Sequence, residues 1–133
     1  MATIVEKINS LPGLLSLKAA SAEMIADAEL QLRVSFAADY KEYLSIFGAI
    51  IADGIELTGI AKSEYRNVVF QTKQERSLNP IVPHTMYVIE NTHIDGIIIW
   101  QDTNGDIYQT SPNTKPQKIA SSLAEYLSLH LAS

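Results

Sequence analysis

The stretch MYVIENTHIDGIIIWQDTNGDIYQT, residues 86–110, decides how the chain folds. Two turn signals, Asp95-Gly96 and Asn104-Gly105, divide it into three short apolar runs. Asn-Gly between alternating residues is the strongest short-range hairpin signal, because both central positions of a type I′ turn need positive φ. A two-residue turn at Asn104-Gly105 predicts that Asp102 faces Ile107 and Gln101 faces Tyr108. The middle run, Ile97-Ile98-Ile99-Trp100, is apolar on both faces and therefore needs cover on both sides. The prediction is a three-stranded antiparallel meander, with Trp100 in the core.

The flanking sequence supplies the cover. Ser21 suits an N-cap, and Ile25, Ala28, Leu32 and Phe36 follow at helical spacing, with Leu30 off that face. A second helix is expected from about Ala37 to Phe47, with Tyr40, Tyr43, Leu44 and Phe47 as its apolar stripe and Gly48 ending it. Ala49–Ile60 reads as a turn followed by a short strand. Residues 65–78 combine strand-like and helix-like signals; the helical face Val68, Val69, Thr72, Glu75/Arg76 and Asn79, closed by Pro80, favours helix. Ile119, Leu123, Leu127 and Leu131 recur every fourth residue, and Ser122-Leu123-Ala124-Glu125 fits a capping box, so a last helix is expected there. Residues 1–20 read as a short helical piece and linker, and 21–131 as the core of a single domain spanning 1–133. Helices, then antiparallel strands, then one helix give an α+β class, a meander-type sheet wrapped by an N-terminal helix pair and a C-terminal helix.

At 133 residues, 47% hydrophobic and 19% charged, the chain can bury a core without staples. It has no cysteine, which excludes disulfides and thiolate chemistry and fits a reducing compartment. The start lacks the pattern of a signal peptide and no segment resembles a membrane span, so the expectation is a cytoplasmic protein. A net charge of −5 argues against a phosphate-binding, nucleic-acid partner. The distribution is more informative: no basic residue lies between Arg76 and Lys115, whereas Glu90, Asp95, Asp102 and Asp106 all do. Two readings fit this acid-only meander. Hairpin turns favour Asp for local reasons, or the acids face a basic partner, with Tyr87 or Tyr108 as anchor.

Catalytic and cofactor templates are absent: no GxGxxG, Walker loop, GxSxG or HExxH occurs. Asp102–Asp106 resembles the opening of a calcium loop, but its glycine is fourth and position twelve is Asn113, so the ligand set fails. His84, His93 and His130 share no metal-ligand spacing. No cofactor or metal is expected.

The pattern Ile25-x-x-Ala28-Glu29-x-x-Leu32-x-Val34-x-Phe36-x-x-Asp39-Tyr40-x-x-Tyr43-Leu44-x-x-Phe47-Gly48 resembles the opening signature of the SUKH superfamily, closest to its YobK-like branch. Glu56–Gly59, Asn67–Val69, Tyr87–Asn91, Asp95–Ile98, Asp102-x-x-Gly105-x-x-Tyr108 and Ser122–Leu127 agree in order. The superfamily usually has Pro where this chain has Ala37. The resemblance implies an α+β fold without enzymatic activity. It also implies an immunity role, binding and neutralising a cognate bacterial toxin, often a nuclease; a fungal cell-wall regulator in the superfamily suggests a general interaction module as the alternative. The expected partner-binding residues are Glu90, Asp95, Asp102, Asp106, Tyr108 and Tyr87.

Overall fold

The computed structural model describes residues 3–131, with side chains through Leu129. The elements in order are α1 (Ile4–Asn9), β1 (Leu15–Ser16), α2 (Ala22–Leu32), α3 (Ala38–Phe47), β2 (Ile50–Ala52), β3 (Ile55–Leu57), a 3-10 turn (Glu64–Arg66), α4 (Val68–Leu78), β4 (Tyr87–Asn91), β5 (Ile98–Gln101), β6 (Ile107–Thr110), β7 (Gln117–Ala120) and α5 (Leu123–Leu131). They form a single α+β domain with two antiparallel sheets, β1-β2-β3 and β4-β5-β6-β7. The sheets meet where Thr58 donates its N–H to Ile89 O at 2.8 Å and its hydroxyl to Val88 O at 2.8 Å.

The meander is present, and its central strand is buried on both faces. Ile99 enters the main core with Tyr87, Ile89 and Ile107. Ile98 and Trp100 face the other way, into a smaller core with Val82, Met86 and Val88. The main core is closed by α1, α2, α3 and α5. Phe36, Tyr40 and Tyr87 meet there with ring centroids 4.7–5.1 Å apart. The second face is covered by α4 and the loop after it: Thr72 Oγ1 accepts the Val88 N–H at 2.9 Å. Arg76 ties that side together, donating to Leu32 O at 3.2 Å and His84 O at 2.8 Å. Burial lowers its guanidinium from the ordinary value.

Local signals were obeyed at the helix ends. Ser21 Oγ accepts Met24 N–H at 3.2 Å, and Asn67 Oδ1 accepts the N–H groups of Val69 and Phe70. Residues 68–78 are helical, as Pro80 and the apolar face required. Gly48 and Gly59 let three chain segments cross. A Cβ on Gly48 would lie 2.1 Å from Lys18 O, and one on Gly59 would lie 1.8 Å from Gly48 O.

Three expectations are corrected. Ile50-Ile51 belong to a strand rather than a turn, because Ile51 pairs with Leu15 on one side and Glu56 on the other. Ile119 belongs to β7, which pairs with β6, so the last helix starts only at Leu123. The second hairpin pairs Gln101 with Ile107 and Trp100 with Tyr108, one residue away from the expected register. There the two-residue type I′ turn is replaced by a three-residue loop. Only Gly105 has positive φ, Gly105 N–H reaches Asp102 O, and Asp102 N–H reaches Asp106 O. The paired left-handed residues occur at the other turn, at Asp95 (φ 52) and Gly96 (φ 70), where Ile97 N–H donates to Ile94 O at 2.9 Å.

Candidate functional site

The six expected partner-binding residues separate into interior and surface groups. Tyr87 is fully buried and Glu90 is 4% exposed, so neither can anchor a partner. The reason lies in a bulge of β4. Val88 pairs with Trp100 but Glu90 pairs with Ile99, so the alternation breaks at Ile89 and turns Glu90 into the main core. There its carboxylate accepts the Glu56 N–H at 2.8 Å and the Tyr126 hydroxyl. Burial, and then the negative Glu90, push the Tyr126 phenol far above its ordinary value.

Tyr87 is the middle of a second interior network. Its hydroxyl accepts Ala37 N–H at 2.9 Å and donates to Gln101 Oε1 at 2.7 Å. Gln101 Nε2 donates to Asp39 Oδ1 at 3.0 Å and to Gly105 O at 3.2 Å. The other Asp39 oxygen accepts Leu123 N–H at 2.8 Å, capping α5. One chain of bonds thus fixes the start of α3, the start of α5 and the β5–β6 turn. The expected capping box is half made: Ser122 Oγ accepts Glu125 N–H, but the Glu125 carboxylate accepts from Ser121 N–H, one residue before the N-cap.

At the β5–β6 end the acids are already engaged. Asp102 Oδ1 accepts the N–H groups of Asn104 and Asp106, and Oδ2 accepts the Tyr108 hydroxyl at 3.1 Å. Burial and that bond raise the Tyr108 phenol. Asp106 pairs with Lys118 of β7 at 3.2 Å, so this end is not acid-only. Thr103 Oγ1 holds the tip to Ser35 O. Tyr108 is half-buried against Trp100's core.

The β4–β5 end differs. Asp95 is exposed, and among the described residues it makes no hydrogen bond or ion pair. Beside it Ile94 is 63% exposed, and on α5 Leu129 is 49% exposed. Ile94, Ile97, Ile99, Ile119, Tyr126 and Leu129 line an apolar groove of about 340 Å³ between the meander and α5. Asp95 follows Ile94 in the chain, and six residues along the strand, roughly 20 Å at about 3.4 Å per residue, separate this turn from Asp102. The structure therefore does not bring the three aspartates onto one surface. Ile94 and Leu129 were missed in the sequence because an exposed isoleucine in a turn and a leucine on a leucine-rich helix carry no distinguishing signal.

The perturbed titratable groups of the interior, Tyr40, Tyr43, Tyr87 and Tyr126, are shifted first by burial, and their hydroxyls are bonded inward. His84 lies in the loop after α4 and His93 in the β4–β5 turn; the side chain of His130 lies outside the described residues. Among the described residues no cluster of His, Asp and Glu has the arrangement to hold a metal ion. No described helix is long and apolar enough to cross a membrane.

A four-stranded meander is thus clasped by helices through tyrosine and carboxylate bonds, with most of its acids engaged within the fold. The family model of the SMI1-KNR4 cell-wall family, SUKH_5, matches residues 1–131. The chain belongs to that SUKH family. No curated protein matches it.

Proposed function

We propose that this chain is a non-catalytic protein-binding domain of the immunity type, which neutralises a cognate polymorphic or contact-dependent toxin by occupying it inside the cytoplasm. Family membership supports a binding role, and the β4–β5 end supports a location for it. The carrying observation is the exposed apolar groove between Ile94 and Leu129, with the exposed, unengaged Asp95 next in the chain to Ile94. An apolar anchor site with a charge at its rim is the composition of an interface core, and an acid suits a toxin with a basic surface, such as a nuclease. Asp102, Asp106 and Tyr108 contribute field at the far end of the sheet rather than direct contact, since their polar atoms are already paired.

The test is calorimetric titration of the chain with the product of a neighbouring gene that carries a toxin domain. Ile94→Asp with Asp95→Lys is expected to weaken binding by about 2–4 kcal/mol, the range for truncating a hot spot. The pair Asp102→Asn and Asp106→Asn should change it by less than about 1 kcal/mol. Equal affinity for the Ile94/Asp95 variant and the parent would place the interface elsewhere.

A further inference from the structure

A second surface has the opposite charge. Leu17, Ala19, Met24, Ile60 and Ala61 line a cleft of about 560 Å³, and the charged residues at it are Lys18, Lys62 and Arg66. Three of the chain's ten lysines and arginines thus meet at one cleft of a protein with net charge −5, and no acid lines it. The two ion pairs among the described residues, Lys41–Glu29 and Lys118–Asp106, use none of these cations. Arg66 Nε is buried without a hydrogen-bond partner. Three like charges at an apolar floor with no acid among them attract an anionic ligand with an apolar part, and the buried Arg66 Nε leaves one donor to be satisfied.

The walls indicate what kind of ligand. One wall is the segment 17–19, pinned at its ends by Leu17 N–H to Ala49 O at 2.9 Å and Ala20 N–H to Leu44 O at 3.0 Å, and pressed on Gly48. The other is the segment 60–63, pinned by Ile60 N–H to Gly48 O at 3.0 Å and Asn67 Nδ2 to Ala61 O at 2.8 Å. Among the described residues no hydrogen bond uses the N–H of Lys18, Ala19, Ala61 or Lys62. Two fixed, non-helical walls with free main-chain donors match the way extended polypeptide is bound, with pockets taking its side chains.

We infer that this cleft docks an extended acidic segment of a partner protein, its apolar side chain seated among Leu17, Met24 and Ile60 and its carboxylates on Lys18, Lys62 and Arg66. The site lies apart from the Ile94–Asp95 turn and does not depend on the toxin reading. The experiment is a nitrogen-15 NMR titration of the full chain with the capped peptide Glu-Asp-Leu-Asp-Glu. Saturable shifts are expected at Lys18, Ala19, Ala61 and Lys62, with affinity falling about tenfold in Lys18→Glu/Lys62→Glu and with added salt. Both lysines are exposed, so that variant folds, and an unchanged parental spectrum elsewhere checks it. Asp95→Lys should bind the peptide as the parent does, so loss of the toxin interface and loss of this site are distinguishable. The proposal is overturned by absence of saturable shifts, by equal response to Lys-Lys-Leu-Lys-Lys, by undiminished affinity in the double variant, or by decanoate binding where the peptide does not.

Discussion

Raising the pH above 10 should unfold this protein in one cooperative step, and the tyrosines set the steepness. Tyr40, Tyr43 and Tyr87 are fully buried and Tyr126 is 4% exposed. Burial is the largest cause of the raised pKa of each, and in the folded chain none releases its proton near the ordinary value of 10.0. In the unfolded chain each ionises there. A group whose folded pKa is raised adds stability that is complete below its unfolded pKa and is lost as pH climbs from that value toward the folded one. The loss is about 1.4 kcal/mol per pH unit for each phenol, hence roughly 5–6 kcal/mol per unit for four together. One unit above the unfolded value removes an amount comparable to the roughly 5–15 kcal/mol that holds a domain folded. The assay follows near-ultraviolet tyrosinate absorbance and far-ultraviolet circular dichroism in the same pH titration. The two signals should change together, with about four protons released in the transition and about three in Tyr87→Phe. Gradual ionisation of all six tyrosines while the circular dichroism stays native would refute the reasoning, because the hydroxyls would then be reaching water in the folded state.

Ala37→Pro restores the residue the superfamily usually carries and should nevertheless destabilise this chain by about 1–3 kcal/mol, read as a lowered urea midpoint. The φ of −61° accepts proline, but the N–H donated to the Tyr87 hydroxyl is lost, and the cost should shrink in the Tyr87→Phe background. Gly59→Ala places a Cβ 1.8 Å from Gly48 O and 2.9 Å from the Ala49 Cβ, so a loss of more than about 3 kcal/mol is expected in thermal melts. Gly54→Ala, with open space around it but φ +78°, should cost only about 1 kcal/mol in the same assay.

The parts of the fold legible in the sequence are those specified by neighbours along the chain. Ser21 and Gly48 mark helix ends through contacts within a turn or so, and the isoleucines of 97–99 declare burial on both faces by themselves. What was hidden depends on distant partners. Gln117–Ala120 continues the every-fourth-residue pattern of α5, yet its backbone is claimed by β6. Ile50-Ile51 looks like an exit from a helix until Leu15-Ser16 arrives from more than thirty residues earlier to pair with it. The Asn104-Gly105 register slipped because the same dipeptide serves a type I′ turn and a type I turn closed by a glycine bulge, and only the side chain of Asp102, bonding two amides of its own loop, decides between them. For the candidate site the misplacement of Glu90 has one cause, the bulge at Ile89. Tyr87 could have been recognised as core from its place opposite Gln101, had the register been known.

The acid-only appearance of residues 77–114 shows why charge counts mislead about function. A carboxylate near a turn or a helix start is a ready acceptor for amides that secondary structure leaves unpaired, and folding selects it there with no partner in view. Asp39, Glu90, Asp102 and Glu125 all do this, while Asp106 is neutralised by a lysine from a strand outside the stretch. The useful question for each acid is whether its oxygens are already taken. A taken oxygen still carries charge and still steers an approaching cation over roughly a Debye length of about 8 Å, but it cannot form a short contact without abandoning its internal donors. Steering acts on the association rate, whereas contact acts on dissociation. Among the described residues Asp95 is the acid of the meander with neither an internal bond nor a cation, and it follows Ile94, which lines an exposed apolar groove. Under the proposed binding role it is the acid placed for contact, and the engaged acids Asp102 and Asp106 would act on the approach.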